Sequence, residues 1–143
     1  MFFLKELPTQ SMIKQYSEAY FPGQTEEVAN QLQGLREFSI LLRKLEDYFA
    51  SHNLSQLRFL VLMVIDREPE RNYLYAHEIA ERLDVSKPVL SRAIKTLAKD
   101  SLLTSKKDNQ DARALVLSLT PSSKTLLKSI LPGYFQILKN KPT

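Results

Sequence analysis

Two helical patterns stand almost end to end in the middle of the chain, and no other feature restricts the fold so sharply. AHEIAERL, residues 76–83, puts Ile79, Ala80 and Leu83 on one side. SKPVLSRAIKTLAK, residues 86–99, repeats Leu90, Ala93, Ile94 and Leu97 at helical spacing. Only Asp84 and Val85 separate them. A connection so short reads as a helix-turn-helix. Asp84 is expected to take a left-handed conformation at the end of the first helix, which Asp tolerates better than most residues. Ser86 is expected to cap the second helix through its hydroxyl, with Pro88 where a missing N–H costs little.

The second helix has a polar side that is all of one sign. Lys87, Ser91, Arg92, Lys95 and Lys99 lie around it with no acidic residue among them. On a lone helix this would be an ordinary solvated face. The charge of the rest of the chain adds weight to another reading. Residues 1–85 carry 9 Lys+Arg against 13 Asp+Glu, residues 86–113 carry 7 against 3, and residues 114–143 carry 4 against none. The net +4 is therefore −4 followed by two blocks of +4. A basic block that starts at a candidate recognition helix suggests an electrostatic footprint for nucleic acid.

The flanks supply the remaining elements. Met12, Ile13, Tyr16 and Tyr20 share a helical face that Pro22-Gly23 stops. From Thr25, read as a cap, Val28, Leu32, Leu35, Phe38, Leu42, Leu45 and Phe49 form a stripe running to about His52. Leu41 and Tyr48 widen it beyond one core contact, so a second subunit is expected to cover part of it. Ser55 is expected to cap a central helix, QLRFLVLMVI, apolar almost all round. Tyr73-Leu74-Tyr75 suits one short strand. After Asp100 the period becomes two, with strands expected over Leu102–Lys106 and Ala114–Leu119 and the polar tip KDNQDAR between them. Thr120-Pro121 opens a last helix that is expected to reach Pro132-Gly133, with a further turn or two over Tyr134–Lys139.

Composition closes off other classes. The 143 residues, 43% apolar and 25% charged, match one ordinary soluble globular domain. The longest uncharged apolar run, Phe59–Ile65, cannot cross a bilayer, and MFFLKELP lacks the form of a signal peptide. There is no cysteine, which excludes disulfides and thiol metal sites and makes a cytoplasmic location the expectation. Three glycines make no phosphate-cradling loop, and His52 and His77 belong to no metal-ligand set. Neither an enzyme, a cofactor nor a metal site is expected.

Particular residues resemble the multiple-antibiotic-resistance regulator (MarR) family. They are Leu54-Ser55, Phe59 and Val61-Leu62; Glu78-Ile79-Ala80 with Leu83; Val85-Ser86-Lys87; Ser91-Arg92, Ile94 and Leu97; Asp111-Ala112-Arg113; and Leu117-Ser118-Leu119-Thr120. Tyr75 replaces the family's usual hydroxyl cap, Asp84, Ser101 and Ser123 replace glycines, and the C-terminal helix is short for the family. The resemblance implies a mainly α winged helix-turn-helix with a two- or three-stranded antiparallel wing. It divides the chain into N-terminal dimerisation helices (1–53), a DNA-binding domain (54–120) and a C-terminal dimerisation helix (121–143).

It also implies a homodimeric, sequence-specific, repressor-type transcriptional regulator on a palindromic operator, modulated by a small-molecule effector. A winged helix used for protein–protein interaction is the alternative. The DNA contacts it implies are Ser86, Lys87, Pro88, Ser91, Arg92 and Lys95 on the helix, with Lys106, Lys107 and Arg113 in the wing. Asp111 is expected to orient Arg113 through a carboxylate–guanidinium pair. Tyr48, Phe49, His52 and Phe59 are candidates to line an effector pocket, although ordinary core packing is the commoner fate of such aromatics.

Overall fold

A computed structural model describes residues 3–140. Met1, Phe2 and 141–143, which fall within the expected terminal regions, lie outside them. Six helices and three strands follow in the order α1 (Gln10–Tyr20), α2 (Thr25–Ala50), α3 (Gln56–Asp66), β1 (Tyr73–Tyr75), α4 (Ala76–Arg82), α5 (Lys87–Lys99), β2 (Leu103–Lys107), β3 (Leu115–Leu119) and α6 (Pro121–Lys139). No helix among the described residues is long and apolar enough to cross a membrane.

Where length suggested one domain, internal packing divides the chain into two compact units. One runs up to Asp47 and resumes at Gln136; the other spans Tyr48–Phe135. In the first, Thr9 caps α1 by accepting from the Met12 N–H, and Gly23 turns the chain at φ +79°. The cap expected at Thr25 falls one residue earlier: Thr25 is already helical, and the Val28 N–H donates to the Gln24 carbonyl at 3.0 Å. The unit buries Ile13, Ser17, Ser39 and Leu45 but leaves Met12, Tyr16, Tyr20, Leu35, Phe38 and Leu138 exposed.

The second unit is built around α3. Ser55 caps it as expected, its hydroxyl accepting from the Arg58 N–H at 3.1 Å. Phe59, Val61 and Leu62 are wholly buried, as their apolar surroundings on every side require. The core continues through Leu74, Ile79, Leu97, Leu117, Leu127 and Ile130, none more than 1% exposed. The sheet has the order β1-β3-β2, all antiparallel, so the wing is three-stranded. Leu74 pairs with Leu117, and both are buried in the core; Leu117 pairs on its other side with Ser105, which is exposed, and the rows of Val116 and Ser118 turn the other way.

One expectation about a helix end fails. Asp84 is not left-handed; α4 instead leaves through Leu83 in an extended conformation (φ −117°, ψ 135°), the first residue of the connection 83–86 to α5. The left-handed positions among non-glycine residues are Asn53 and Ser101, at φ 58° and 59°, behind α2 and α5. At the other end of the chain, the further turns expected over Tyr134–Lys139 are present and join α6 without a break at Pro132. Tyr48 donates its hydroxyl hydrogen to the Ile130 carbonyl at 2.8 Å, and a Cβ on Gly133 would run into that hydroxyl. The Pro-Gly pair thus admits the Tyr48 ring against α6 instead of ending the helix.

Candidate nucleic-acid interface

The residues expected to contact nucleic acid lie on α5 and in the wing. Leu90, Ala93, Ile94 and Leu97 bury one side of α5 at 0–7% exposure. Lys87, Pro88, Val89, Ser91, Arg92 and Lys95 are exposed on the remainder. Ser86 stands at the N-cap with extended backbone (φ −69°, ψ 151°), but its hydroxyl makes no capping bond. The sequence expectation of a side-chain cap is therefore wrong. Pro88 at the second helical position removes one of the two N–H groups that a cap can take, and the Ser86 hydroxyl makes no bond to the other, that of Val89.

Between α4, α5 and the wing lies a hollow of about 500 Å³. Leu90, Ile94 and Leu115 form its apolar floor, and Lys87, Ser91, Lys95 and Arg113 stand around it. Four residues singled out from sequence thus meet on one concavity although 26 positions separate the first from the last. His77 and Ser105 also line it and were missed. Nothing in the local pattern marks them; helix α4 and the strand pairing bring them there.

The wing residues divide. Lys106 pairs with Val116 and Lys107 with Leu115, so the two lysines leave opposite faces of β2, both exposed. Asp111 does not hold the Arg113 guanidinium. Its carboxylate accepts from the Arg113 backbone N–H at 3.0 Å, the short-range bond that a two-residue spacing favours, and no such ion pair occurs among the described residues. Asp111 thus shapes the turn through the backbone, and Arg113 itself is exposed.

Behind the hollow, α4 is anchored by a small polar network. The Glu78 carboxylate accepts from the Tyr75 N–H at 3.0 Å and is gripped by both terminal nitrogens of Arg71, one at 2.9 Å. The Tyr75 bond satisfies the N–H of the N-cap residue, the half of a capping box that a glutamate at the third helical position supplies. The Arg71 hydrogen bonds hold the Glu78 carboxyl below its ordinary value. Arg71 also lies over the Tyr73 ring at 5.3 Å, and Tyr75 stacks on His77 at 5.4 Å. The negative charge of Asp108 nearby, with burial second, pushes the Tyr75 phenol up.

The four aromatics expected at an effector pocket do come together, as packing. Phe49 and Phe59 stack at 4.3 Å and are 1% and 0% exposed. Tyr48 and His52 meet edge to face at 5.0 Å at the margin of that stack, half-buried, and Tyr134 lies against Phe59 at 4.8 Å.

Known proteins resemble this chain in sequence and in fold. The family model described as "MarR family" matches residues 52–114, from the end of α2 to the wing tip. The transcriptional repressor YetL of Bacillus subtilis is 30% identical over 141 residues, covering 92% of this chain and 78% of YetL. Among solved structures, AbsC of Streptomyces coelicolor, a MarR family transcriptional regulator, superimposes with a TM-score of 0.72 at 20% identity, over 80% of this chain and 76% of AbsC. BpsR of Bordetella bronchiseptica, whose DNA binding is regulated by 6-hydroxynicotinic acid, gives 0.66 at 18% identity, over 79% and 82%.

Proposed function

Because the chain belongs to the MarR family of transcriptional regulators, we propose that it acts as a homodimeric repressor on a palindromic operator and is released by a small-molecule effector. Helix α5 enters the major groove. There Arg92 and Lys95 donate to guanine edges or phosphates, and the Ser86 and Ser91 hydroxyls donate or accept at the groove floor. Lys87 and Pro88 sit at the helix start, the part that reaches base edges in this class of motif. The wing lies along the backbone. Lys106 and Lys107 act as point charges on phosphates, and Arg113 uses its planar fork there or in a narrow minor groove.

A two-fold axis sets two such helices about 34 Å apart, one turn of DNA, and so makes the operator an inverted repeat. Residues 1–53 and 121–143 supply the dimer, and residues 54–120 the DNA-binding domain. An aromatic acid like the one that regulates BpsR is the chemical class of effector this reading favours. Tyr48 and His52, half-buried beside the Phe49–Phe59 stack, are the members of that cluster such a molecule can reach. The protein works in the cytoplasm, beside its operator.

The observation that carries this reading is that Lys87 and Lys95 of α5 stand around the same hollow as Arg113 of the wing. Selection of binding sites from a random duplex pool tests it. An enriched inverted repeat is expected; a pool that stays random after several rounds would turn the assignment toward protein–protein interaction.

A further inference from the structure

The outer side of α5 has two flanks with different chemistry. Lys87, Ser91 and Lys95 turn toward the hollow. Val89, Arg92 and Thr96, spaced three and four apart, form the other flank and do not line it. Val89 is 36% exposed. Besides Phe135, it is the one large apolar side chain exposed among the described residues of the Tyr48–Phe135 unit. It is not among the residues that α5 buries in the core, which are Leu90, Ala93, Ile94 and Leu97. A β-branched residue in a helix holds one χ1 rotamer, so its two methyls form a rigid apolar knob. Thr96 spends its hydroxyl on the Arg92 carbonyl at 3.0 Å. The groups left to meet a base edge on this flank are an apolar knob and a guanidinium.

We infer that Val89 reads the 5-methyl group of a thymine in the major groove, next to the guanine that Arg92 contacts. The inference rests on the DNA-binding reading and deepens it. Thymine is the base that carries an apolar group on its major-groove edge, and apolar side chains are its natural partners. Side chains three apart on a helix stand about 5–6 Å from each other. Base steps rise about 3.4 Å per strand. The thymine therefore lies one or two base pairs from the guanine in each half-site.

The test uses the selected operator with its thymines replaced one at a time by deoxyuridine, which removes the methyl and leaves the hydrogen-bonding edge intact. The wild-type protein is expected to lose about fourfold in affinity at one thymine per half-site, the worth of one buried methyl. Val89→Ala should bind thymine and uracil equally there. 5-Bromodeoxyuridine at that position should restore wild-type binding, since bromine fills the space of the methyl. Val89→Ala should unfold no earlier than wild type, because alanine is the better helix former; lost discrimination then cannot be lost folding. Three results overturn the inference while DNA binding stands: no thymine sensitive to uracil, a sensitive thymine that stays sensitive in Val89→Ala, or a selected half-site with no thymine within two base pairs of the guanine. Failure of the wild-type protein to enrich any duplex overturns the underlying DNA-binding reading instead.

Discussion

Ser101 occupies a conformation that its side chain disfavours. It follows α5 at φ 59°, and its carbonyl accepts from the Thr120 hydroxyl at 2.8 Å, tying the start of the wing to its exit. The left-handed region costs an L-residue about 1–2 kcal/mol, and glycine escapes that cost while losing some through its greater freedom when unfolded. Ser101→Gly should therefore stabilise the protein by about 0.5–1 kcal/mol, read as a rise in the denaturant midpoint with unchanged slope. Glu78 gives a second expectation at this scale. Its pKa in the folded protein is depressed, so its contribution to stability is present above the ordinary value near 4.5 and is lost as the pH falls through the folded value. Glu78→Gln should unfold earlier than wild type at pH 7, and the gap should close on acidification below pH 4.5. A gap of constant size down to pH 3 would mean that the Arg71 pairing is not its source.

At the scale of elements, helix α5 and the wing are expected to contribute differently. Arg92→Ala should cost about 1–3 kcal/mol on the selected site and relax preference at one base pair, as removal of a bidentate base pairing does. Arg113→Ala should weaken binding evenly across sequences and lower the salt slope by about 1 for each phosphate no longer neutralised. Titrations against operator and scrambled duplexes at several salt concentrations separate the two, and an exchanged pattern would make the wing the reader of sequence. Most of these elements could be read from the chain because each buries one face. The Leu90–Leu97 stripe and the alternating Leu115, Leu117 and Leu119 carry their own period. What could not be read depends on partners distant in sequence. Tyr48 decides the path of α6 across Pro132 from 82 residues before Ile130, and His77 and Ser105 reach the hollow only through tertiary packing. Helix exits were misjudged for a related reason. Asp84 and Ser101 both stand after a helix, but a left-handed exit depends on where the next element must go, not on the residue alone.

For the molecule as a whole, the unfinished surface lies in the unit that runs up to Asp47 and resumes at Gln136. Met12, Tyr16 and Tyr20 on α1 are 53–77% exposed, and Leu35 and Phe38 on α2 are 54% and 64% exposed. Leu138 on α6 is 40% exposed. With Leu4, 53% exposed, these seven large apolar side chains on so small a unit exceed the scattered exposure normal for a monomer and mark an interaction surface. On the proposed reading a second copy of the chain covers it, the two copies meeting about a two-fold axis. The protein should sediment as a dimer at micromolar concentration, and a lone 16.5 kDa species would contradict this. Phe38→Glu should shift it to monomer while leaving its helical content intact, because the side chain contributes little to the core of its own subunit. Deleting residues 1–22 should weaken the dimer as well, by removing Met12, Tyr16 and Tyr20 from the shared surface. The DNA readout then distinguishes an interface that matters from one that does not. A monomeric Phe38→Glu protein keeps every DNA-facing group of α5 and the wing, yet can engage only one half-site at a time. Its affinity for the inverted repeat should fall to that of a single half-site, and retention of full affinity by a monomer would remove the dimer from the mechanism.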